Sequence, residues 1–221
     1  VDTILTCDNG ITAIEEIAYA KEAGMTVLVT DHHEIPFKDV DGERIYMRSE
    51  ADVIVNPHQK TCAFPYKDLC GAGVAWAVIV ALYEKNNIEQ KEAEELLEFV
   101  AFATVGDIMS LTGLNRILVR EGLKRIHHTT NIGMRALISR CGLLPEQIDT
   151  YHFGFVLGPC INAAGRLDTA RRALRLFISE SPEEAAEVAD ELVILNEERK
   201  EMTRQGVEEA KQLVEEGGYE N

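Results

Sequence analysis

The sequence predicts an α/β fold, with a parallel sheet flanked by helices, followed by a mostly helical C-terminal part that ends in a long helix. Three observations carry this. Short apolar runs at Thr3–Cys7 and Thr26–Thr30 bracket a segment with helical periodicity, the pattern of a βαβ unit. Beyond Glu89 the apolar residues recur at helical rather than strand spacing. An acidic stretch then runs to the end from Ser181-Pro182, a pair that marks a helix start.

The elements follow in order. A helix is expected over 13–23, because Thr12 and Glu15 make a capping box and Ile11, Ile14, Ile17 and Ala18 share one face. Gly24 suits the left-handed residue that closes it. A right-handed crossover makes the two flanking strands parallel, so whatever follows Cys7 and Thr30 shares one sheet edge. Residues 34–50 are polar and read as a loop or excursion, before a short strand at 52–55 and the string Asn56-Pro57-His58. A helix over 68–85 is apolar almost all round, which predicts central burial. Further helices are expected over 92–104, 116–126, 132–139, 145–157, 169–178 and 182–215, the last capped by Ser181 with Glu184 completing a second capping box.

Composition excludes several classes. The longest apolar run, 72–83, is shorter than the ~18 to 20 residues that cross a bilayer, so no membrane association is expected. The cysteines, Cys7, Cys62, Cys70, Cys141 and Cys160, are odd in number and never spaced C-x-x-C, which fits free thiols of a cytoplasmic protein rather than a disulfide framework or zinc knuckle. A formal net charge of −16 argues against a broad nucleic-acid-binding surface. Metal-binding carboxylates are neutralised when loaded, however, and many of the acids lie within 183–220.

The chemistry concentrates at strand ends. Asp8, in Cys7-Asp8-Asn9-Gly10, follows the first strand, where by itself it would satisfy neighbouring backbone N–H groups. Asp31-His32-His33-Glu34 follows the neighbouring strand and brings an acid and two imidazoles to the same edge, where open α/β sheets bind ligands. Carboxylate with imidazole suits a divalent transition metal such as Mn²⁺. Adjacent extended residues point to opposite sides, so one histidine is expected to ligate and the other to reach substrate. Asp107, in Val105-Gly106-Asp107-Ile108, supplies a further carboxylate after an apolar helix. His127-His128, which follows Lys124-Arg125 and has no partner acid, reads as helix C-terminal capping.

The strings TCDNG, TDHHE, VNPHQ, LCGAGVAW, ATVGDIMSL, LNRILVREGL and GPCINAAGRLDTA occur in that order. Together they resemble the catalytic core of the RecJ single-strand-specific DNA exonucleases, within the DHH phosphoesterase superfamily. The resemblance implies a catalytic domain over 1–180, a connecting helix over 181–216 and a linker or chain end over 217–221. It implies Asp8, His32 and Asp107 as metal ligands, with Asp31 a ligand or an orienter behind them. It places His33 and Arg166 on substrate phosphate, although Arg166 pairs equally well with Asp168 on the residues alone. The implied reaction is 5′ to 3′ hydrolysis of single-stranded DNA, in repair and recombination, with two Mn²⁺ or Mg²⁺ ions ~4 Å apart.

Three departures qualify it. The family's first motif, D-x-D-x-D-G, and its Gly-rich second domain have no counterpart in the sequence, so the chain by itself is expected to be inactive. Cys160 stands where the family commonly has Arg, so one phosphate contact is expected to be lost or supplied elsewhere. The alternatives are a DHH phosphodiesterase of oligoribonucleotides or cyclic dinucleotides, and a non-catalytic DHH-derived binding protein.

Overall fold

The computed structural model describes residues 1–167 and 170–217, with the side chains of Arg166 and Leu167 outside the described set. The chain gathers into two compact units, Val1–Arg125 and Ile126–Asn221. Compactness thus divides it earlier than the boundary expected at residue 180.

The first unit opens with β1 (Thr3–Cys7), α1 (Ile14–Glu22), β2 (Thr26–Thr30), β3 (Phe37–Val40), β4 (Glu43–Tyr46) and β5 (Val53–Val55). β1, β2 and β5 form a parallel sheet with β2 in the middle, as the βαβ pattern requires. The register pairs Cys7 with Thr30 and Thr30 with Val55. The residue after each strand, Asp8, Asp31 or Asn56, therefore stands at one level on the carboxyl edge. Backbone bonds of 3.0 Å from Asp8 N to the Thr30 carbonyl and from Asp31 N to the Val55 carbonyl hold that alignment. Ile17, Ala20, Val27, Val29 and Ala51 form the core beneath α1.

α1 starts without the expected capping box, for no side chain caps it. The turn is already satisfied by backbone, with Ala13 N bonded to the Gly10 carbonyl and Ile14 N to that of Thr12. Its far end closes as expected, where Gly24 adopts φ +77° and donates to the Lys21 carbonyl. The polar excursion is not a loop. It is an antiparallel hairpin of β3 and β4 around Asp41 (φ 53°) and Gly42 (φ 84°), an Asp-Gly pair whose double positive φ is that of a tight two-residue turn.

α2 (Gly71–Lys85) begins three residues later than expected and is capped by Cys70, whose thiol accepts from Gly73 N. Burial is confined to Gly71, Gly73 and Val74, and Leu82 is half exposed, so the central burial expected from its composition holds only for the first turn. The helix expected over 92–104 is broken at Leu96 into α3 (Gln90–Glu95) and α4 (Leu97–Gly106). α4 buries Leu97, Val100, Ala101 and Thr104. α5 (Gly113–Ile126) contributes Leu118 to a second core cluster with Leu69, Val74, Leu97 and Val100.

In the second unit, Asn131 caps α6 (Ile132–Arg140) through a bond from Met134 N. The helix expected over 145–157 is replaced by a single 3₁₀ turn, Pro145–Gln147, and a wider π-type stretch, His152–Leu157, that runs into α7 (Gly158–Leu167). α8 (Ala170–Ile178) and α9 (Pro182–Glu216) complete the unit. Ala185, Val188, Ala189, Leu192 and Asn196 line one buried face of α9, whereas from Met202 to Gly217 it is exposed. Ser181 caps it through Glu184 N at 3.2 Å. The Glu184 carboxylate does not return the bond, being engaged by Ser179 and Arg175.

Candidate metal centre

Two aspartates and two histidines of the first unit converge on the carboxyl edge of the sheet. His32 Nε2 lies 3.0 Å from Asp8 Oδ1 and 3.4 Å from Asp107 Oδ2. Neither approach makes a hydrogen bond, and the nitrogen is buried without a partner. A buried polar atom of this kind costs about 1–3 kcal/mol unless something satisfies it. Asp8, His32 and His33 each offer a ligand atom within 4.8 Å of the others. Nitrogen and carboxylate oxygen meeting around an orphaned imidazole is a donor set that fits a divalent cation.

Each residue arrives for a local reason. Asp8 takes φ 63°, a conformation open to aspartate but rare for most side chains, which turns it off the strand end. Among the described residues no backbone N–H bonds its carboxylate, so the capping role that an isolated strand-end acid would have is not the one it fills here. α2 makes room for it: a β-carbon on Gly71 would fall 2.3 Å from Asp8 Oδ1. Asp107 follows the last turn of α4, at the negative end of the helix dipole, where a carboxylate is disfavoured unless a cation offsets it. The next residue, Ile108, holds φ 56°, an outlier for a β-branched side chain, and is almost fully exposed. Partial burial raises the Asp8 carboxyl above its ordinary range, opposed by His32 and reinforced by Asp107. Two carboxylates crowded in this way call for positive charge between them.

Asp31 occupies a different place from the other acids. Its side chain is 1% exposed, and both its oxygens are committed. Oδ2 accepts from Ile11 N at 2.9 Å, while Oδ1 accepts from His32 N at 2.8 Å and His33 N at 3.2 Å and lies 2.7 Å from His33 Nδ1. Burial alone would raise its pKa, but these donors together hold it below the ordinary carboxylate range. Both Asp31 oxygens are thus engaged by donors of the chain itself. The bond from Asp31 also raises the His33 imidazole, against the effect of burial. A proton held on Nδ1 leaves Nε2 of this half-exposed ring as the free nitrogen.

The two histidines do not diverge as adjacent extended residues would. Their ring centroids are 4.5 Å apart. The strand ends at Thr30, and the backbone at 32 and 33 curls round the Asp31 carboxylate, so strand alternation no longer governs these side chains. Asn56 anchors the same curl from β5, donating to the His33 carbonyl at 2.8 Å and accepting from His58 N at 2.8 Å.

The remaining expectations fall in the second unit. Arg166 belongs to α7, but its side chain, and Asp168 altogether, lie outside the described residues. Cys160 is buried, its thiol donating to the Val156 carbonyl and approached by Asn196 at 3.5 Å, so it packs as a core residue. The ring of His127 lies 3.0 Å from the Ile148 carbonyl. Sequence reasoning missed Gly71 as a partner of Asp8, although a glycine opening an apolar helix is the signal for such a close approach. It missed Ile11 as the backbone donor to Asp31, which no pattern announces.

The chain is 38% identical over 209 residues to the single-stranded-DNA-specific exonuclease RecJ of Salmonella typhimurium, a match covering 90% of this chain and 35% of that protein. The crystal structure of RecJ from Thermus thermophilus in complex with Mn²⁺ superposes with a TM-score of 0.80 at 32% identity, over 94% of this chain and 30% of that one. The Mg²⁺ complex of RecJ from the same organism gives a TM-score of 0.71 at 30% identity, over 94% and 27%. The chain thus spans about a third of the length of the relatives it matches. The model of the DHH family, N-terminal domain, matches residues 2–104, which hold Asp8, Asp31, His32 and His33 and stop just short of Asp107. Residues 2–104 of this chain are thus similar to a DHH-family N-terminal domain.

Proposed function

We propose that this chain is the metal-binding part of a phosphodiester hydrolase that degrades single-stranded DNA from its 5′ end, using Mn²⁺ or Mg²⁺, in DNA repair and recombination in the cytoplasm. The observation that carries the reading is the orphaned His32 Nε2 between the carboxylates of Asp8 and Asp107. The Mn²⁺- and Mg²⁺-bound RecJ relatives support the choice of ion.

Asp8, His32 and Asp107 would hold the cation. When bound it supplies a hydroxide nucleophile at neutral pH and draws charge from a phosphate oxygen. The chain's own residues set up what surrounds it. Asp31 holds the His33 ring through Nδ1, and Nε2, when protonated, would donate to a phosphate oxygen. The Asp31 carboxylate beside it raises the His33 imidazole above its ordinary value. Arg166 belongs to the same reading as a phosphate-binding guanidinium.

The test is release of mononucleotides from 5′-labelled single strands, with Mn²⁺, by this chain extended to the length of its relatives. Metal-dependent release that is lost in Asp8→Ala and His32→Ala supports the assignment. Release that survives both substitutions overturns it.

A further inference from the structure

Neither the metal centre nor the core clusters of the first unit use the β3–β4 hairpin. Every residue of both strands is exposed. Strand alternation puts Phe37 and Asp39 on one face with their partners Tyr46 and Arg44. On that face two cations flank a pair of rings, with Asp39 opposite Arg44. Lys60 Nζ sits 4.3 Å from the centroid of Tyr46, Tyr46 is 6.0 Å from Phe37, and the Arg44 guanidinium lies 4.4 Å from Phe37. Exposed aromatic rings with flanking cations are what a single-stranded nucleic acid meets on a stacking platform, where bases lie on rings and phosphates meet Lys or Arg. In a chain of net charge −16 this face is a local exception in composition.

Position gives the face its meaning. A cavity of about 300 Å³ opens beside Tyr46, and its walls include Arg48, His58, Lys60 and Glu34. Glu34 directly follows His33, and its carboxylate is 3.5 Å from His58 Nδ1. Ile11, which also lines the cavity, is the residue whose N–H holds Asp31. The cavity therefore shares a wall with the loop that carries the candidate metal centre. Apart from Glu34, the charged groups lining it are the cations Arg48 and Lys60, with His58 beside them.

We propose that the β3–β4 hairpin and the segment 58–60 form a subsite for the nucleotide next to the one being cleaved. Tyr46 stacks on its base, and Arg48 and Lys60 meet its phosphate. The proposal rests on the reading of Asp8, His32, His33 and Asp107 as a phosphodiester-cleaving site, and it adds a recognition surface that distinguishes an unstacked strand from a duplex. A base can lie on Tyr46 only when it has left its own stack.

The test is an NMR titration of the ¹⁵N-labelled chain with a 5′-phosphorylated oligodeoxythymidylate hexamer in Mg²⁺, repeated with Tyr46→Ala/Lys60→Ala. Perturbed amides at Tyr46, Arg48 and Lys60 together with those of the 31–34 loop, and affinity about tenfold weaker in the variant with an otherwise unchanged spectrum, are expected. Perturbation of the 31–34 loop without the hairpin, or equal affinity of wild type and variant, overturns the subsite and leaves the metal centre's function standing. No perturbation anywhere overturns both. A matched duplex hexamer that shifts the hairpin as strongly as the single strand also overturns the proposal.

Discussion

Gly71 stands where a β-carbon would be 2.3 Å from the Asp8 carboxylate oxygen, so the first turn of α2 and the end of β1 share a space that only hydrogen can fill. Gly71→Ala should displace the Asp8 side chain and cost about 1–3 kcal/mol of stability, the range for an added methyl in a packed site. Urea denaturation measures the cost. Mn²⁺ affinity, by calorimetry, should fall with it, and unchanged metal binding would show that Asp8 does not need this close contact.

Loading the site should stabilise the fold. A cation between Asp8, His32 and Asp107 relieves the orphaned Nε2 and the crowded carboxylates. Mn²⁺ at a hundred times its dissociation constant should add about 2.7 kcal/mol to unfolding free energy. In a thermal melt His32→Ala should lose that increment. An equal metal-induced rise in both proteins would place the ion elsewhere.

The Asp31 and His33 pair gives a pH signature in the metal-free chain. Asp31 is depressed in the folded state, so its contribution to stability is present above the unfolded carboxylate value of about 4 and is lost as pH falls through the lower folded value. His33 is raised, so its contribution is full below about 6.5 and is lost as pH rises through the higher folded value. Asp31→Asn should abolish the acid limb and return the His33 titration, followed by NMR, towards 6.5. A His33 midpoint that does not move would refute the coupling.

Ile108 carries backbone strain beside a candidate ligand. At φ 56° and 91% exposure its side chain gains little from packing and suffers the left-handed penalty of about 1–2 kcal/mol. Ile108→Gly should stabilise the protein by about 0.5–1 kcal/mol once the greater chain entropy of glycine is subtracted. Because the strained turn fixes the approach of Asp107, Mn²⁺ affinity should fall in the same variant. Higher stability with undiminished affinity would mean the strain does not serve the site.

Most of what marks this chain was legible from residue order. Thr3–Cys7 and Thr26–Thr30 show themselves as strands because each is a short apolar run bounded by breakers, and the helix between them forces them parallel. That puts Asp8 and Asp31 on one edge before any coordinate is known. The Asp41-Gly42 turn was equally local and could have been read, since the hairpin signal is a dipeptide.

The tertiary structure decided what depends on residues distant in sequence. Asp31 and Asp107 are both acids after apolar segments, and order alone does not separate them. Burial of one under the N–H groups of Ile11, His32 and His33, and arrival of the other at a helix end facing His32, does so. The same holds for Gly71 against Asp8 and for Asn56 against His33, contacts spanning 63 and 23 positions. Periodicity and capping are properties of neighbours along the chain and so are written in the sequence. The role of a carboxylate is set by which donors surround it, and that is fixed only when the chain has folded.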